Sequence, residues 1–345
     1  MAEKLPPDRL HKIPNFRLTS GATLPDAEIA YVTLGKLAPD GKNAVLLTHG
    51  YTSSHRFIGD GATGEGSWGP LVGPGRAIDT DRFFVVSSNM LGSSYGSTCP
   101  RSVNPATGQP YGPDFPAFGL TDIVNAQKSL LDGLGVKRLT AVVGPSYGGF
   151  QAFQWAITFP DFMDAIVPAV SGLTSPTGPD GGKALIERFQ TEANWNGGHY
   201  YAKGGIEPAM KALRFETLLK YGADDELSET MPDPAARKAE IERRAAKWAG
   251  EFDANSMIAL ARAAAGYDVT NETAKIKARV LYVLSRTDAL FPPSLAPTVM
   301  ANLKAAGVPA EYSEIDSNFG HQASGSDALK WAPTLARFLG EIAVR

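Results

Sequence analysis

A serine set between glycines is the feature of this sequence with the clearest chemical meaning. Ser146 stands in Gly-Pro-Ser-Tyr-Gly-Gly, after the apolar run 139–143 and before a helical pattern over 150–159. Strand, tight turn and helix in this order expose a serine hydroxyl as a nucleophile, beside a helix N-terminus that favours an oxyanion. The alternative is a plain glycine turn, since the chain has 36 glycines. The flanking elements lead us to predict that Ser146 is the nucleophile.

A serine nucleophile needs a base, because a free hydroxyl is too weakly acidic at neutral pH. Only His199 and His321 follow Ser146 in the sequence. His321 comes shortly after the strand-like run 311–315, and a loop that leaves a late strand can reach the serine. His199 lies instead in the middle part of the chain, which we interpret below as a lid. We predict His321 as the base; the alternative is a histidine on a surface loop.

The acid that orients the base is expected after the strand-like run 280–285. Asp288 occupies that position, and its carboxylate would hold the imidazole tautomer and stabilise the imidazolium. Asp316 is the rival because it is close to His321 in sequence, but it is better placed to brace that loop. We predict Asp288 as the acid, in the chain order Ser, acid, His of α/β hydrolases.

An oxyanion hole needs two aligned hydrogen-bond donors. One is the backbone N–H of Tyr147, which directly follows the nucleophile. The other is expected in a loop after an early strand, and the turn His49-Gly50-Tyr51-Thr52 follows the apolar run 44–48. We predict the backbone N–H of Tyr51 as the second donor.

The elements that position these residues alternate between strands and helices. Near-continuous apolar runs indicate strands that are covered on both faces, as in a parallel sheet; they cover 44–48, 83–88, 139–143, 165–170 and 280–285. Helical spacing marks 120–134, with Thr121 as its N-cap, as well as 150–159 and 327–344. This alternation predicts an α/β fold with a mostly parallel, doubly wound sheet.

The middle of the chain interrupts this alternation. Residues 175–182 are rich in Pro and Gly and form a linker, and no strand pattern occurs up to residue 266. Helical patterns cover 184–193, 206–221, 234–248 and 254–264. We predict an α/β-hydrolase core domain from residues 1–174 and 267–345, with a helical lid domain inserted at 175–266.

Composition excludes several classes of function. The 345 residues include 33 Lys and Arg against 36 Asp and Glu, a net charge of −3, so nothing favours nucleic acid or an anionic membrane as a partner. The single cysteine, Cys99, excludes an intramolecular disulfide, and no histidine pair has ligand spacing, so we expect no metal. The polar N-terminus lacks a signal-peptide pattern, which leads us to expect a cytoplasmic protein.

Several long stretches resemble the homoserine O-acetyltransferase family of the α/β-hydrolase superfamily. They are 73–84, 89–98, 104–108, 110–116, 252–256, 288–293 and 320–321. The resemblance implies a ping-pong mechanism through an acetyl-serine on Ser146, with Asp288 and His321 completing the triad. It also implies a lid arginine for the acceptor carboxylate and a tyrosine further along that helix, which correspond to Arg214 and Tyr221. A solvated helix arginine is the alternative for Arg214. A homodimer through the lid helices is implied by the resemblance only.

The sequence departs from the family around the acyl and acceptor sites. The family elbow is usually Gly-Gly-Ser-Met-Gly-Gly and its early turn His-Ala-Leu-Thr, whereas this chain has tyrosines at 147 and 51. The sequences after Tyr221 and His321 differ too, and some family members are acetyl-ester hydrolases. We therefore predict a short-chain acyl-ester hydrolase that works through acyl-Ser146 on a small-molecule ester, without a cofactor.

Two alternatives remain open. The first is homoserine O-acetyltransferase, with acetyl-CoA as the acyl donor. It shares the first half-reaction with the hydrolase, so the triad does not separate them. The second is a catalytically silent scaffold that binds a ligand, because fold alone does not prove activity.

Overall fold

The computed structural model describes residues 5–59 and 67–343, and its centre is an eight-stranded sheet. In chain order the strands are β1 (Arg9–Arg17), β2 (Thr23–Leu34), β3 (Ala44–Thr48), β4 (Phe84–Ser88), β5 (Leu139–Pro145), β6 (Met163–Ala169), β7 (Arg279–Ser285) and β8 (Ala310–Ile315). In space they run β1-β2-β4-β3-β5-β6-β7-β8. All neighbours from β4 to β8 are parallel, while β2 is antiparallel to both β1 and β4, which confirms the mostly parallel sheet.

The sequence patterns did not predict the antiparallel hairpin of β1 and β2. Most β1 side chains are exposed, and the strand carries polar residues such as Arg9 and Lys12. A hairpin at the edge of a sheet has a solvated face, so its sequence lacks the continuous apolar run of a central strand. Continuous apolar runs therefore identify the central strands and not this hairpin.

Helices cover both faces of the sheet, as the doubly wound fold requires. Adjacent residues of β3 point to opposite faces: Leu46 packs in the same core as α1 (Leu120–Gly133) and α2 (Tyr147–Thr158), and Leu47 in the core of α10 (Ala328–Ala343). The remaining helices of the core are α8 (Ala296–Ala305) and the short α9 (Ala323–Ser326). The end predicted for the last helix, residue 344, lies outside the described residues.

The N-cap predicted for α1 is wrong. The helix begins at Leu120, one residue before Thr121, and its N-cap is Gly119. The backbone N–H of Gly119 donates to the carboxylate of Asp122 at 2.9 Å, so an acidic residue in the first turn caps the helix instead. The same carboxylate accepts hydrogen bonds from Thr19, which ties this helix end to the chain after β1.

A helical lid is inserted between β6 and β7. Its helices are α3 (Lys183–Phe189), α4 (Glu207–Lys220), α5 (Ala223–Ser228), α6 (Pro234–Glu251) and α7 (Ala254–Ala263). Thr174 and Asp268 form an antiparallel bridge where the chain leaves and rejoins the core. The domain boundaries at 174 and 267 stay predictions, since a single bridge does not define a separately folding unit.

Two apolar clusters fix the lid. Leu218 of α4 and Ile241 of α6 belong to a small core within the lid. Trp248, Phe252 and Met257 instead join the large core that also covers the sheet, so α6 and α7 pack directly on the α/β domain. Within the described residues, no helix has the length and apolarity needed to span a bilayer.

Candidate active site

Ser146 occupies a sharp turn between β5 and α2. Its backbone has φ 54° and ψ −119°, which a non-glycine residue rarely adopts. Neighbouring strands hold this conformation in place. The Ser146 N–H donates to the Ala169 carbonyl at 2.8 Å, and the Ser171 hydroxyl donates to the Ser146 carbonyl at 2.8 Å. The turn is therefore a strained elbow braced by backbone and side-chain hydrogen bonds.

The glycines around Ser146 are required by close packing. A Cβ on Gly144 would lie 2.1 Å from the Thr48 hydroxyl, and one on Gly148 would lie 2.3 Å from the Thr48 carbonyl. A Cβ on Gly149 would meet the Ser171 side chain at 2.4 Å. Each approach is far below van der Waals contact, so β3 and the chain after β6 contact the elbow backbone directly. This is the close approach that the sequence pattern predicts.

Asp288 and His321 form a buried pair in the loops after β7 and β8. The Asp288 and His321 side chains are 0 % and 5 % exposed, and His321 Nδ1 lies 2.8 Å from Asp288 Oδ2. An ionised carboxylate only accepts, so Nδ1 carries the proton and Nε2 is left as the acceptor that a general base needs. The other carboxylate oxygen accepts from the backbone N–H groups of Leu290 and Phe291.

Electrostatics keep the Asp288 carboxylate ionised. Burial raises the pKa of this group, but the charge and hydrogen bond of His321, together with the Leu290 and Phe291 N–H groups, outweigh that effect. The pKa of Asp288 is therefore lowered from its ordinary value. Asp288 stays anionic at neutral pH and can stabilise an imidazolium on His321.

The two rival residues lie elsewhere. The Asp316 side chain is 82 % exposed and forms an ion pair with Arg286 at 2.9 Å, so it braces the surface loop. The His199 side chain is 54 % exposed, and its Nε2 lies 3.8 Å from the carboxylate of Asp114. Geometry therefore pairs His321 with Asp288 and not with Asp316.

The turn after β3 is rigid. The ring nitrogens of His49 lie 2.8 Å from the Gly50 carbonyl and 2.8 Å from Asn89 Oδ1, and burial lowers the pKa of His49 to about 4. Tyr51 follows in the same turn, and Tyr147 is the first residue of α2, whose N–H has no acceptor within the helix. The Tyr51 and Tyr147 rings stack at 5.8 Å, so the turn and the elbow are adjacent.

Ser146 lines a mainly apolar cavity of about 480 Å³. The linker 175–182, which the sequence analysis treated only as a connection, forms part of its wall. Tyr221 lines this cavity too, and its ring lies 4.8 Å from that of His321. Ser146 and Tyr221 therefore line the same cavity, and the His321–Asp288 pair lies beside the Tyr221 ring.

Arg214 lies in a second, smaller cavity of about 190 Å³. Its side chain is 1 % exposed, which contradicts the alternative of a solvated helix arginine. Nη1 donates to the Thr52 hydroxyl at 2.9 Å, and the guanidinium lies 5.0 Å from the Trp248 ring centroid. Four residues line both cavities, so the two spaces adjoin: Tyr51, Tyr221, Met257 and Leu290.

Thr52 and Trp248 are site residues that the sequence analysis missed. Besides its contact with Arg214, Trp248 donates its indole N–H to the Thr52 carbonyl at 3.0 Å. The available signal was a lone tryptophan in the charge-dense run 237–248. A buried cation and an aromatic ring on separate helices share no sequence spacing, so only packing reveals the pair.

The sequence matches a family model described as the alpha/beta hydrolase fold over residues 43–327. A homoserine O-acetyltransferase of Moorella thermoacetica is 38% identical over 95% of this chain and 94% of its own length. A homoserine O-succinyltransferase of Dechloromonas aromatica is 36% identical, with 91% of each chain covered. The crystal structure of esterase E22 is 26% identical and superimposes with a TM-score of 0.86, over 96% of this chain and 99% of that one.

These relatives overturn the main functional prediction. A short-chain acyl-ester hydrolase is wrong, because relatives at 36% and 38% identity over nearly the full length carry transferase names. The departures in the elbow and lid misled the prediction because they change side chains around the site without changing its framework. The match to esterase E22 does not restore it, since it rests on lower identity and a shared fold. The chain belongs to the homoserine O-acetyltransferase-like family of α/β hydrolases.

Proposed function

We propose that this protein is a homoserine O-acetyltransferase, which moves an acetyl group from acetyl-CoA to the hydroxyl of L-homoserine. Full-length similarity to transferases supports the reaction class. The observation that carries the proposal is the buried guanidinium of Arg214 beside the nucleophile cavity. Water as an acceptor needs no buried cation, whereas an amino-acid acceptor has a carboxylate that a guanidinium binds through two hydrogen bonds.

The first half-reaction acylates Ser146. Ser146 Oγ attacks the thioester carbonyl while His321 Nε2 takes the hydroxyl proton, and the Asp288 carboxylate stabilises the imidazolium. The backbone N–H groups of Tyr51 and Tyr147 hold the oxyanion. The carbon–sulfur bond of the tetrahedral intermediate then breaks. The sulfur takes the proton from His321, and CoA leaves as a thiol. Acetyl-Ser146 remains.

The second half-reaction moves the acetyl group to the acceptor. Homoserine enters the smaller cavity, where Arg214 binds its carboxylate and Tyr221 lines the path to the other cavity. His321 takes the proton of the homoserine hydroxyl as its oxygen attacks the acetyl ester. The bond between the acyl carbon and Ser146 Oγ breaks, O-acetylhomoserine leaves, and the proton returns to Ser146.

The lining of the larger cavity favours acetyl over succinyl. Among the described residues that line it, Asp180 is the only charged one. A succinyl group ends in a carboxylate, which would lose hydration there and face a like charge instead of a cation. An acetyl group is neutral, so it loses no charge hydration in this cavity and is not repelled by Asp180.

Thiol release from acetyl-CoA, followed with and without L-homoserine, tests the proposal. We expect release that saturates with homoserine and yields O-acetylhomoserine, and release from succinyl-CoA at less than about a tenth of that rate. Thiol release without dependence on homoserine would contradict the transfer, and equal use of succinyl-CoA would contradict the acyl assignment. Failure of a fluorophosphonate probe to label Ser146 would instead favour the silent scaffold.

A further inference from the structure

The side chains of the two oxyanion residues reach the lid. The Tyr51 hydroxyl donates to the Met257 carbonyl at 2.5 Å, and the Tyr147 hydroxyl donates to the Leu260 carbonyl at 3.1 Å. Both acceptors belong to α7, one turn apart. The stacked rings of Tyr51 and Tyr147, called the tyrosine pair below, thus join the nucleophile elbow, the turn after β3 and a lid helix.

Both hydrogen bonds persist across the physiological pH range. Burial raises the pKa of the Tyr51 and Tyr147 hydroxyls above the ordinary value of a phenol, so both groups stay protonated and can donate. Tyr147 is only 4 % exposed, so water competes little for its hydroxyl. Both hydroxyls can therefore donate to α7 at neutral pH.

The position of α7 determines the wall between the two cavities. Met257, the residue that Tyr51 binds, lines both the cavity of Ser146 and the cavity of Arg214. Ala261 and Ala264, at the end of the same helix, line the Ser146 cavity as well. A small shift of α7 away from the tyrosine pair would open this wall beside Ser146 and admit solvent to the acyl group.

We propose that Tyr51 and Tyr147 are positioning residues that hold α7 against the nucleophile and so slow the attack of water on acyl-Ser146. This inference rests on the proposed transfer, in which water competes with the acceptor hydroxyl for the same ester. In the competing step, water oxygen bonds to the acyl carbon, the bond to Ser146 Oγ breaks, and acetic acid leaves while Ser146 regains its proton. A transferase benefits from excluding that step.

The test is the rate at which water deacylates the enzyme after a burst with p-nitrophenyl acetate. Removing both hydroxyls in Y51F/Y147F is expected to speed deacylation about tenfold relative to the wild type. Deacylation at the wild-type rate would overturn the inference. A tenfold loss of acylation in the same variant would also overturn the inference, because damage to the oxyanion hole would then explain the effect.

A matched variant separates the lid contact from a general loss of a buried hydroxyl. Tyr282→Phe also removes a phenol that donates to a backbone carbonyl, that of Ser171 at 2.7 Å, but this bond lies within the α/β core. We expect wild-type deacylation in Tyr282→Phe. Equal acceleration there would overturn the inference. If the double variant folds poorly, the single variants Y51F and Y147F replace it. Each is expected to show a smaller increase in the deacylation rate.

Hydrogen exchange of the α7 amides gives a readout that needs no acyl group. Exchange over Ala254–Ala263 is expected to become faster in Y51F/Y147F and to stay unchanged in Tyr282→Phe. Unchanged exchange in both variants would contradict the anchoring. The deacylation experiment uses p-nitrophenyl acetate and water in place of acetyl-CoA and homoserine. It can therefore fail while homoserine transfer succeeds, and it can succeed while homoserine transfer fails. Failure of the inference is thus distinguishable from failure of the proposed function.

Discussion

The candidate triad and the acceptor residues of the lid are held by different kinds of contact. Ser146, Asp288 and His321 follow the ends of strands, and backbone hydrogen bonds fix the first two. Arg214 instead depends on a threonine of the turn after β3 and on the indole of α6. Sheet geometry therefore positions the candidate triad, while side-chain contacts of the lid position the proposed acceptor cavity.

This difference implies that the two regions respond differently to substitution. The elbow tolerates almost no change of backbone, because a Cβ on any of its three glycines would overlap neighbouring atoms. The lid joins the core through side chains, so its contacts can change while the fold stays intact. We therefore expect substitutions in the lid to change the acyl acceptor more readily than substitutions at the elbow.

The largest expected effect is the loss of the nucleophile. Ser146→Ala is expected to lower turnover of acetyl-CoA by about 10⁴ to 10⁶-fold and to leave the midpoint of thermal unfolding nearly unchanged. Ser129→Ala, on α1 and in contact with His11, is the control and should retain full activity. Retained activity in Ser146→Ala would show that another group attacks the acyl donor.

A smaller loss is expected when the acid is neutralised. Asp288→Asn keeps the size of the side chain but removes the charge that orients His321, and kcat/KM should fall about 10³ to 10⁴-fold. Asp316→Asn tests the rival acid with the same chemistry, and we expect it to be nearly silent because that side chain is 82 % exposed. If steady-state kinetics showed a larger loss of kcat/KM in Asp316→Asn than in Asp288→Asn, Asp316 would be the acid instead.

The lowered pKa of Asp288 predicts a pH effect on stability, which Asp288→Asn should remove. A carboxyl whose pKa is lowered by folding stabilises the protein above its unfolded pKa of about 4, and this contribution is lost as pH falls through the folded value. The stability of the wild type relative to Asp288→Asn should therefore decline as pH falls below about 4. Urea unfolding across this range measures it; a constant difference would mean that the carboxyl is not perturbed.

Sequence reasoning worked best where one local pattern specifies one position. Ser146 and Asp288 follow apolar runs and His321 follows a strand-like run, and the structure places all three residues after strands; their catalytic roles stay predictions. The edge hairpin, the cap at Gly119 and the Thr52–Trp248 contact were missed because each depends on exposure or on distant partners. The acyl acceptor was misjudged for the same reason, since it depends on which side chains meet in the lid. The homodimer stays a prediction.

The smallest effect that we predict concerns Arg214. It tests whether the lid determines binding of the acceptor without affecting acylation of Ser146. Arg214→Lys keeps a cation but removes the planar fork, so the KM for homoserine should rise about 10 to 100-fold. Acylation by p-nitrophenyl acetate, which has no carboxylate, should change by less than about threefold, since the nucleophile cavity is intact. Lysine is preferred to alanine because alanine would also remove packing against Trp248.

Arg188→Ala is the matched control for that prediction. Arg188 is another lid arginine, but it is partly exposed and forms an ion pair with Glu216 on the surface of α4. Exposed ion pairs contribute little, so we expect both the KM for homoserine and acylation to stay near their wild-type values. A parallel loss of acylation and homoserine binding in Arg214→Lys would mean that the lid arginine supports the whole site, and the contrast between core and lid would fail.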